Sequence, residues 1–249
     1  MDVINLAHGP IIALGMFAMF FLSGAAGIGL NPYLALVLIA ILGLLFGVGI
    51  YFIAVHRVLN APHLSSLLST FSVNMMIIGV GTAILTTTPR NLVFSIGSIS
   101  LGPVTLLGTR LVAALIAILV AALLYLFLYR TQPGKAIRAV SNNRAAAELM
   151  GIPSTQTLAL SFGIGTMLAS IAGGLIATFF SFTILAGGVY ELKSFVIVVL
   201  GGLGNPTGAL LGGLILGGLE GIAPVFMPVS WVPVIEFVLF VVILMVRPT

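Results

Sequence analysis

The chain has 249 residues, 60% of them hydrophobic, with nine Lys or Arg set against five Asp or Glu. A soluble domain carries roughly 25% charged residues, whereas this chain carries 6% and has a mean hydropathy of +1.31. Those figures exclude most soluble enzymes, disordered proteins and nucleic-acid binders, and they point to an all-α, polytopic integral membrane protein. The net charge of +4 orients such a chain in a bilayer and does not imply a nucleic-acid partner. With no cysteine, disulfides and thiolate metal sites are excluded. No basic stretch precedes the first apolar run, so no cleavable leader is expected.

Eight apolar segments follow in chain order, near 10–27, 33–55, 64–88, 109–129, 156–180, 191–203, 207–223 and 233–247. Polar punctuation separates them, including Asn31-Pro32, His56 to His63 and Asn205-Pro206. Inside lipid each segment must satisfy its own backbone, so each is predicted to be a helix. The segment 191–203 is short for a core of about 30 Å and is a candidate to re-enter the bilayer. Residues 86–109 form the largest loop on one side, where Phe94 and Ile96 alternate with Ser95 and Gly97 and predict a short hairpin. That loop reads equally well as a connector and as a docking surface. Two glycine ladders, Gly204/Gly208/Gly212 and Gly213/Gly217/Gly221, predict close helix packing late in the chain.

The loop 130–155 holds Arg130, Lys135, Arg138 and Arg144 against Glu148 alone. Placing it in the cytoplasm also puts His56, Arg57, His63 and Arg247 inside, leaves Arg90, Arg110 and Lys193 outside, and closes with both termini inside. Within this loop Ala136 to Val140 and Ala145 to Met150 read as two helical turns hinged at Ser141-Asn142-Asn143. Asn143 is a natural N-cap, Gly151 suits the left-handed position after a helix, and Pro153 blocks continuation. The apolar positions Ile137, Val140, Leu149 and Met150 predict a helix laid in a partner's groove, with Arg138 and Arg144 at the rim.

No enzyme constellation is present. QPGK at 132–135 lacks the upstream glycine of a P-loop, and His8, His56 and His63 lack metal-site spacing. No cofactor is expected.

The string RAVSNNRAAAELMGI, at 138–152, resembles the cytoplasmic coupling segment of permeases in branched-chain amino-acid ABC importers. INLAHG at 4–9 resembles their opening signature, LGGLGNPTGALLGG at 200–213 their late glycine-rich stretch, and VRPT their usual ending. The resemblance spans nearly the whole chain and implies a single transmembrane permease domain over 1–249 in the cell inner membrane. It also implies separate ABC ATPase subunits, a second related permease and a periplasmic binding protein as partners. Gly134, Lys135, Ala146, Ala147, Glu148 and Gly151 then join the apolar and basic residues above as the ATPase-coupling set. Three features depart from the family pattern. Ala145 stands where an acid is expected, Pro10 follows Gly9, and relatives carry a further hydrophobic segment upstream of the signature. Leucine, isoleucine or valine is the implied cargo. Related permeases for urea, short amides or other amino acids form one alternative, and a self-sufficient secondary transporter or channel forms another.

For a solute path, Asn5 and His8 beside the break at Gly9-Pro10, together with Ser69, Ser72 and Asn74, are the polar candidates. The competing role is interhelical hydrogen bonding for Ser69, Ser72 and Asn74, and holding the broken backbone for Asn5 and His8. Lys193, Glu220 and Glu236 lie at similar depth near the outer face, where ionisable groups find partners or water, and an ion pair among them is expected.

Overall fold

The computed structural model describes residues 5–24, 27–59, 61, 63–101, 104–202 and 204–246. Among them, six helices are long and apolar enough to cross a membrane, and two shorter apolar helices accompany them. The fold is all-α apart from one hairpin, and the chain is a multi-pass membrane protein. Its last residues, 247–249, fall outside the described part, so the VRPT ending has no structural counterpart here.

The chain divides into two compact units, Met1–Gly188 and Val189–Thr249. In the first, α1 spans His8–Ser23 and α2 spans Pro32–Ile50. The Asn31 side chain accepts the Tyr33 N–H at 3.0 Å and Pro32 fills the first helical position, which fixes where α2 starts. A π turn and a 3-10 turn carry the same apolar run on to Val58. Helix α3 follows at His63–Leu85, α4 at Gly108–Arg130, α5 at Gln132–Asn142, α6 at Arg144–Leu149 and α7 at Ser154–Ala177.

The core of this unit is α7 laid against α1 and α2. A Cβ on Gly15 would overlap the Ser170 backbone, and one on Gly173 would overlap the Ile12 carbonyl, so the α1 and α7 backbones touch directly. Thr166 Oγ1, fully buried, reaches the Gly43 carbonyl of α2 at 3.0 Å. Small residues thus replace the hydrophobic effect as the packing device, as expected where lipid is as apolar as leucine.

The hairpin lies a few residues beyond its predicted place. Strands β1 (Ser98–Leu101) and β2 (Val104–Leu107) pair antiparallel with Ser98 opposite Leu107, while 94–97 carries no strand. Alternation resumes in Ser98-Ile99-Ser100-Leu101, and the sequence Gly102-Pro103 between the strands is the stronger turn signal. Near this loop Arg90 and Phe182 exchange backbone bonds of 2.8 and 2.9 Å, and the Arg90 guanidinium lies 5.6 Å from the Phe20 ring.

Helix α8 covers Gly187–Gly201, all but its first two residues in the second unit, where α9 covers Pro206–Phe226 and α10 Val232–Val246. Asn205 caps α9 through the Gly208 N–H at 3.1 Å, with Pro206 in the first turn. Helix α8 exceeds the short segment expected at 191–203. A 3-10 turn at Ile184–Ala186 runs into it, giving an 18-residue apolar stretch, about 27 Å at helical rise. The extension comes from Ile184 to Tyr190, where Gly187-Gly188 reads as a break in the sequence although the turn and helix run through it. Of the glycine ladders, Gly208 abuts the Gly201 backbone and Gly212 approaches the Ile197 carbonyl, whereas Gly217 and Gly221 face no described neighbour within 4 Å.

Candidate functional site

The loop between α4 and α7 is built as two helices with a one-residue break. Thr131 starts α5: its hydroxyl accepts the Gly134 N–H at 3.2 Å and lies 2.6 Å from the Phe127 carbonyl. A side chain on buried Gly134 would overlap Phe127 and Leu128, so α5 turns hard against the end of α4. Asn143 ends α5 in extended conformation and caps α6 by accepting the Ala146 N–H at 3.0 Å. Gly151, at φ +82°, closes α6, with the Ile152 N–H reaching back to the Ala147 carbonyl at 3.0 Å. This is the left-handed cap that only glycine adopts without strain.

The far end is tied to α7. The Glu148 carboxylate accepts from Arg144 Nε at 3.0 Å and from the hydroxyl of Ser154, the first residue of α7. The Ser154 hydroxyl first, and Arg144 second, hold the Glu148 carboxyl below its ordinary value, so the link is fully charged at neutral pH.

The apolar face predicted for a partner is divided. Val140 is 4% exposed and Ile137 half-buried, because α5 packs against α4 and α7 within its own chain. Leu149 and Met150 are 89% and 82% exposed and stand at the end of α6. Arg138, read as a rim contact, faces inward: its Nε donates to the Leu128 carbonyl at 3.1 Å and its guanidinium lies 4.3 Å from the Tyr129 ring. Amphipathicity states that a face is buried and leaves open what buries it. Lys135, Arg144 and Ala146 lie towards solvent to differing degrees, and Ala147 is buried.

These contacts make Arg138 the brace of the α4–α5 elbow. Arg138→Ala is expected to remove about 1–2 kcal/mol of local stability, seen as a lower melting temperature of the purified permease. Arg138→Lys should recover less than half of that, since an ammonium cannot lie flat on a ring while its neighbouring nitrogen bonds a carbonyl. An unchanged melting temperature in the alanine variant would remove the brace.

Between α5, the start of α1 and α7 lies a cavity of about 260 Å³. Asn5, His8, Ser141, Thr157 and Ser161 present polar groups to it, and Ile137, Leu158 and Phe162 present apolar ones. It therefore gathers two of the five residues expected to line a solute path. The other three spend hydrogen bonds on backbone: Ser69 Oγ donates to the Ala54 carbonyl at 2.9 Å, Ser72 Oγ to the Leu68 carbonyl at 2.8 Å, and Asn74 Nδ2 to the Leu6 carbonyl at 2.5 Å. With Thr70 Oγ1 accepting the Leu6 N–H at 3.3 Å, the α3 stripe holds the irregular chain ahead of α1. The sequence missed Ser141, Ser161 and Gly165 as cavity residues, because only the fold brings α5 and α7 to the start of α1.

In the second unit, Lys193 Nζ lies 2.5 Å from Glu220 Oε1 and 3.6 Å from Glu236 Oε1. The Glu236 side chain is 6% exposed. One ammonium thus faces two carboxylates from successive helices. Pro224 removes the N–H that would otherwise bond the Glu220 carbonyl, loosening α9 one turn beyond the pair.

Comparison with known proteins agrees with this architecture. The family described as branched-chain amino acid transport system / permease component matches residues 1–245. The high-affinity branched-chain amino acid transport system permease protein LivH of Salmonella typhimurium is 28% identical over 99% of this chain and 84% of its own length. LivH of Escherichia coli K12 gives the same identity and coverage. BraD of Pseudomonas aeruginosa, of the same description, is 30% identical over 99% of this chain and 85% of its own. No solved structure matches. Spanning helices, an inter-helix segment with an exposed apolar end, and whole-length similarity converge: the chain belongs to the branched-chain amino acid transport system permease family.

Proposed function

We propose that the chain is the membrane-spanning permease of an ATP-binding-cassette importer for branched-chain amino acids, set in the cell inner membrane. Two ATPase subunits, a second related permease and a periplasmic substrate-binding protein complete the system. The cargo follows from what the relatives LivH and BraD are named for. The observation that carries the coupling role is Leu149-Met150, two large apolar side chains left exposed on α6, outside every candidate span. Exposed apolar groups beyond the bilayer mark an interaction surface. Positions 130–155 are then cytoplasmic, and 86–109 lies outside with the hairpin.

The reading is tested by reconstitution. Uptake of labelled leucine into vesicles should need this chain, its partner permease, the ATPase, ATP and the binding protein together. A proton or sodium gradient should neither replace ATP nor add to it. Uptake by this chain alone along an ion gradient would refute the reading and favour a secondary transporter.

A further inference from the structure

Pro10 leaves a gap in the first turns of α1 that another helix fills. In an α-helix each N–H bonds the carbonyl four residues back, and Pro10 has no N–H to give to the Leu6 carbonyl. At membrane depth a carbonyl left without a partner is costly. Asn74 Nδ2, from α3, donates to it instead at 2.5 Å. One turn earlier on the same face of α3, Thr70 Oγ1 accepts the Leu6 N–H at 3.3 Å. The Thr70 hydroxyl also lies 3.2 and 3.1 Å from the Ser66 and Leu67 carbonyls, so its hydrogen has a place within its own helix while a lone pair serves Leu6. Both side chains are buried, Thr70 at 0% and Asn74 at 4% exposure.

The neighbouring groups of the strap Asn5–Ala7 are answered locally. Asn5 Oδ1 accepts the Ala7 N–H at 3.0 Å. The Asn5 carbonyl accepts the His8 N–H at 3.3 Å, and the Ala7 carbonyl accepts the Ile11 N–H at 3.3 Å. Leu6 is thus the residue at which α3 grips the strap, through both of its backbone groups. Asn5 on the strap and His8 just after it line the cavity of about 260 Å³, to which α5 contributes Ile137 and Ser141. A strap gripped by α3 therefore sets the wall that borders the coupling helix.

We propose that Asn74 and Thr70 are positioning residues for transport: they supply the bond that Pro10 cannot make and hold Leu6, so that the cavity wall stays in place when the ATPase moves α5. The movement of α5 rests on the transport reading above. The grip itself rests on the bonds to Leu6.

Uptake per inserted permease in the complete ATP-driven system tests this, together with a thiol placed on the strap. Leu6→Cys keeps both gripped backbone groups and gives the chain its one cysteine. Asn74→Leu and Thr70→Val, close in shape but unable to bond Leu6, should each lower uptake about fivefold or more. Each should also speed labelling of Leu6→Cys by a charged thiol reagent by about as much. Thr70→Ser should match the wild type in both. Pro10→Ala returns an N–H four residues beyond Leu6, so adding it should recover most of the loss in Asn74→Leu and little of that in Thr70→Val. A role in stability alone would lower the inserted amount and leave uptake per permease unchanged. Uptake or labelling left unchanged in both Asn74→Leu and Thr70→Val overturns the proposal, as does an Asn74→Leu loss that Pro10→Ala does not reduce. If Asn74→Leu does not insert, Thr70→Val against Thr70→Ser decides alone. Absent uptake by the wild-type system sinks the transport reading, whereas intact wild-type uptake with unaffected variants sinks the grip alone.

Discussion

Leu149→Asp should abolish recovery of the ATPase with the permease while leaving the amount of inserted permease unchanged. Leu149 is 89% exposed and touches little of its own chain, so its replacement costs the isolated permease almost nothing. Under the proposed coupling role the same side chain would be a buried anchor in the assembled importer. Truncating such an anchor costs about 2 kcal/mol or more, and a buried unpaired carboxylate costs further. A 2 kcal/mol loss is roughly a thirtyfold weaker complex. Met150→Asp should behave alike, whereas Val140→Asp should fail earlier, at folding, because Val140 is already buried within the chain. The measurement is pull-down at matched membrane levels. Undiminished recovery with Leu149→Asp would take α6 out of the interface.

The second large effect is expected at Lys193. Replacing it with methionine leaves Glu220 and Glu236 facing one another with no cation among the described side chains bonded to them. Removing one partner of a buried pair costs about 3–5 kcal/mol, and the quarter exposure of Lys193 places this case near the lower figure. Lys193→Met should therefore reduce accumulation of folded protein severalfold, read as the monodisperse fraction after detergent extraction. Adding Glu236→Gln should restore much of it, since one carboxylate alone can turn towards water. If the double variant is no better than the single one, the three residues do not act as a unit.

Much of this architecture was readable because membrane constraints are severe. Each of the eight apolar segments corresponds to a helix, and the Asn-Pro pairs at 31–32 and 205–206 open α2 and α9 for reasons of capping and ring geometry. Lys193, Glu220 and Glu236 could be grouped because ionisable residues are so scarce in these spans. What resisted reading was the direction of buried faces. Ile137 and Val140 showed that α5 is amphipathic, yet only the fold shows that α7 covers that face. Arg138 read as a rim contact for a partner, whereas Tyr129, nine residues earlier, lies beneath it. The cavity needed three separate stretches to meet, and no local pattern announces that.

The single-residue break at Asn143 separates two very different attachments. On one side α5 is braced to α4, the span with the least protein around it; on the other, Glu148 fastens α6 to α7, the span most enclosed by protein. A push delivered at Leu149 therefore arrives first at the best-anchored beam in the first unit. With the α1 and α7 backbones in contact at Gly15 and Gly173, α7 cannot slide without carrying α1 along. Such a load is shared by α1, α2 and α7 together, and α5, packed against both α4 and α7, ties α4 to the same block on the other side of Asn143.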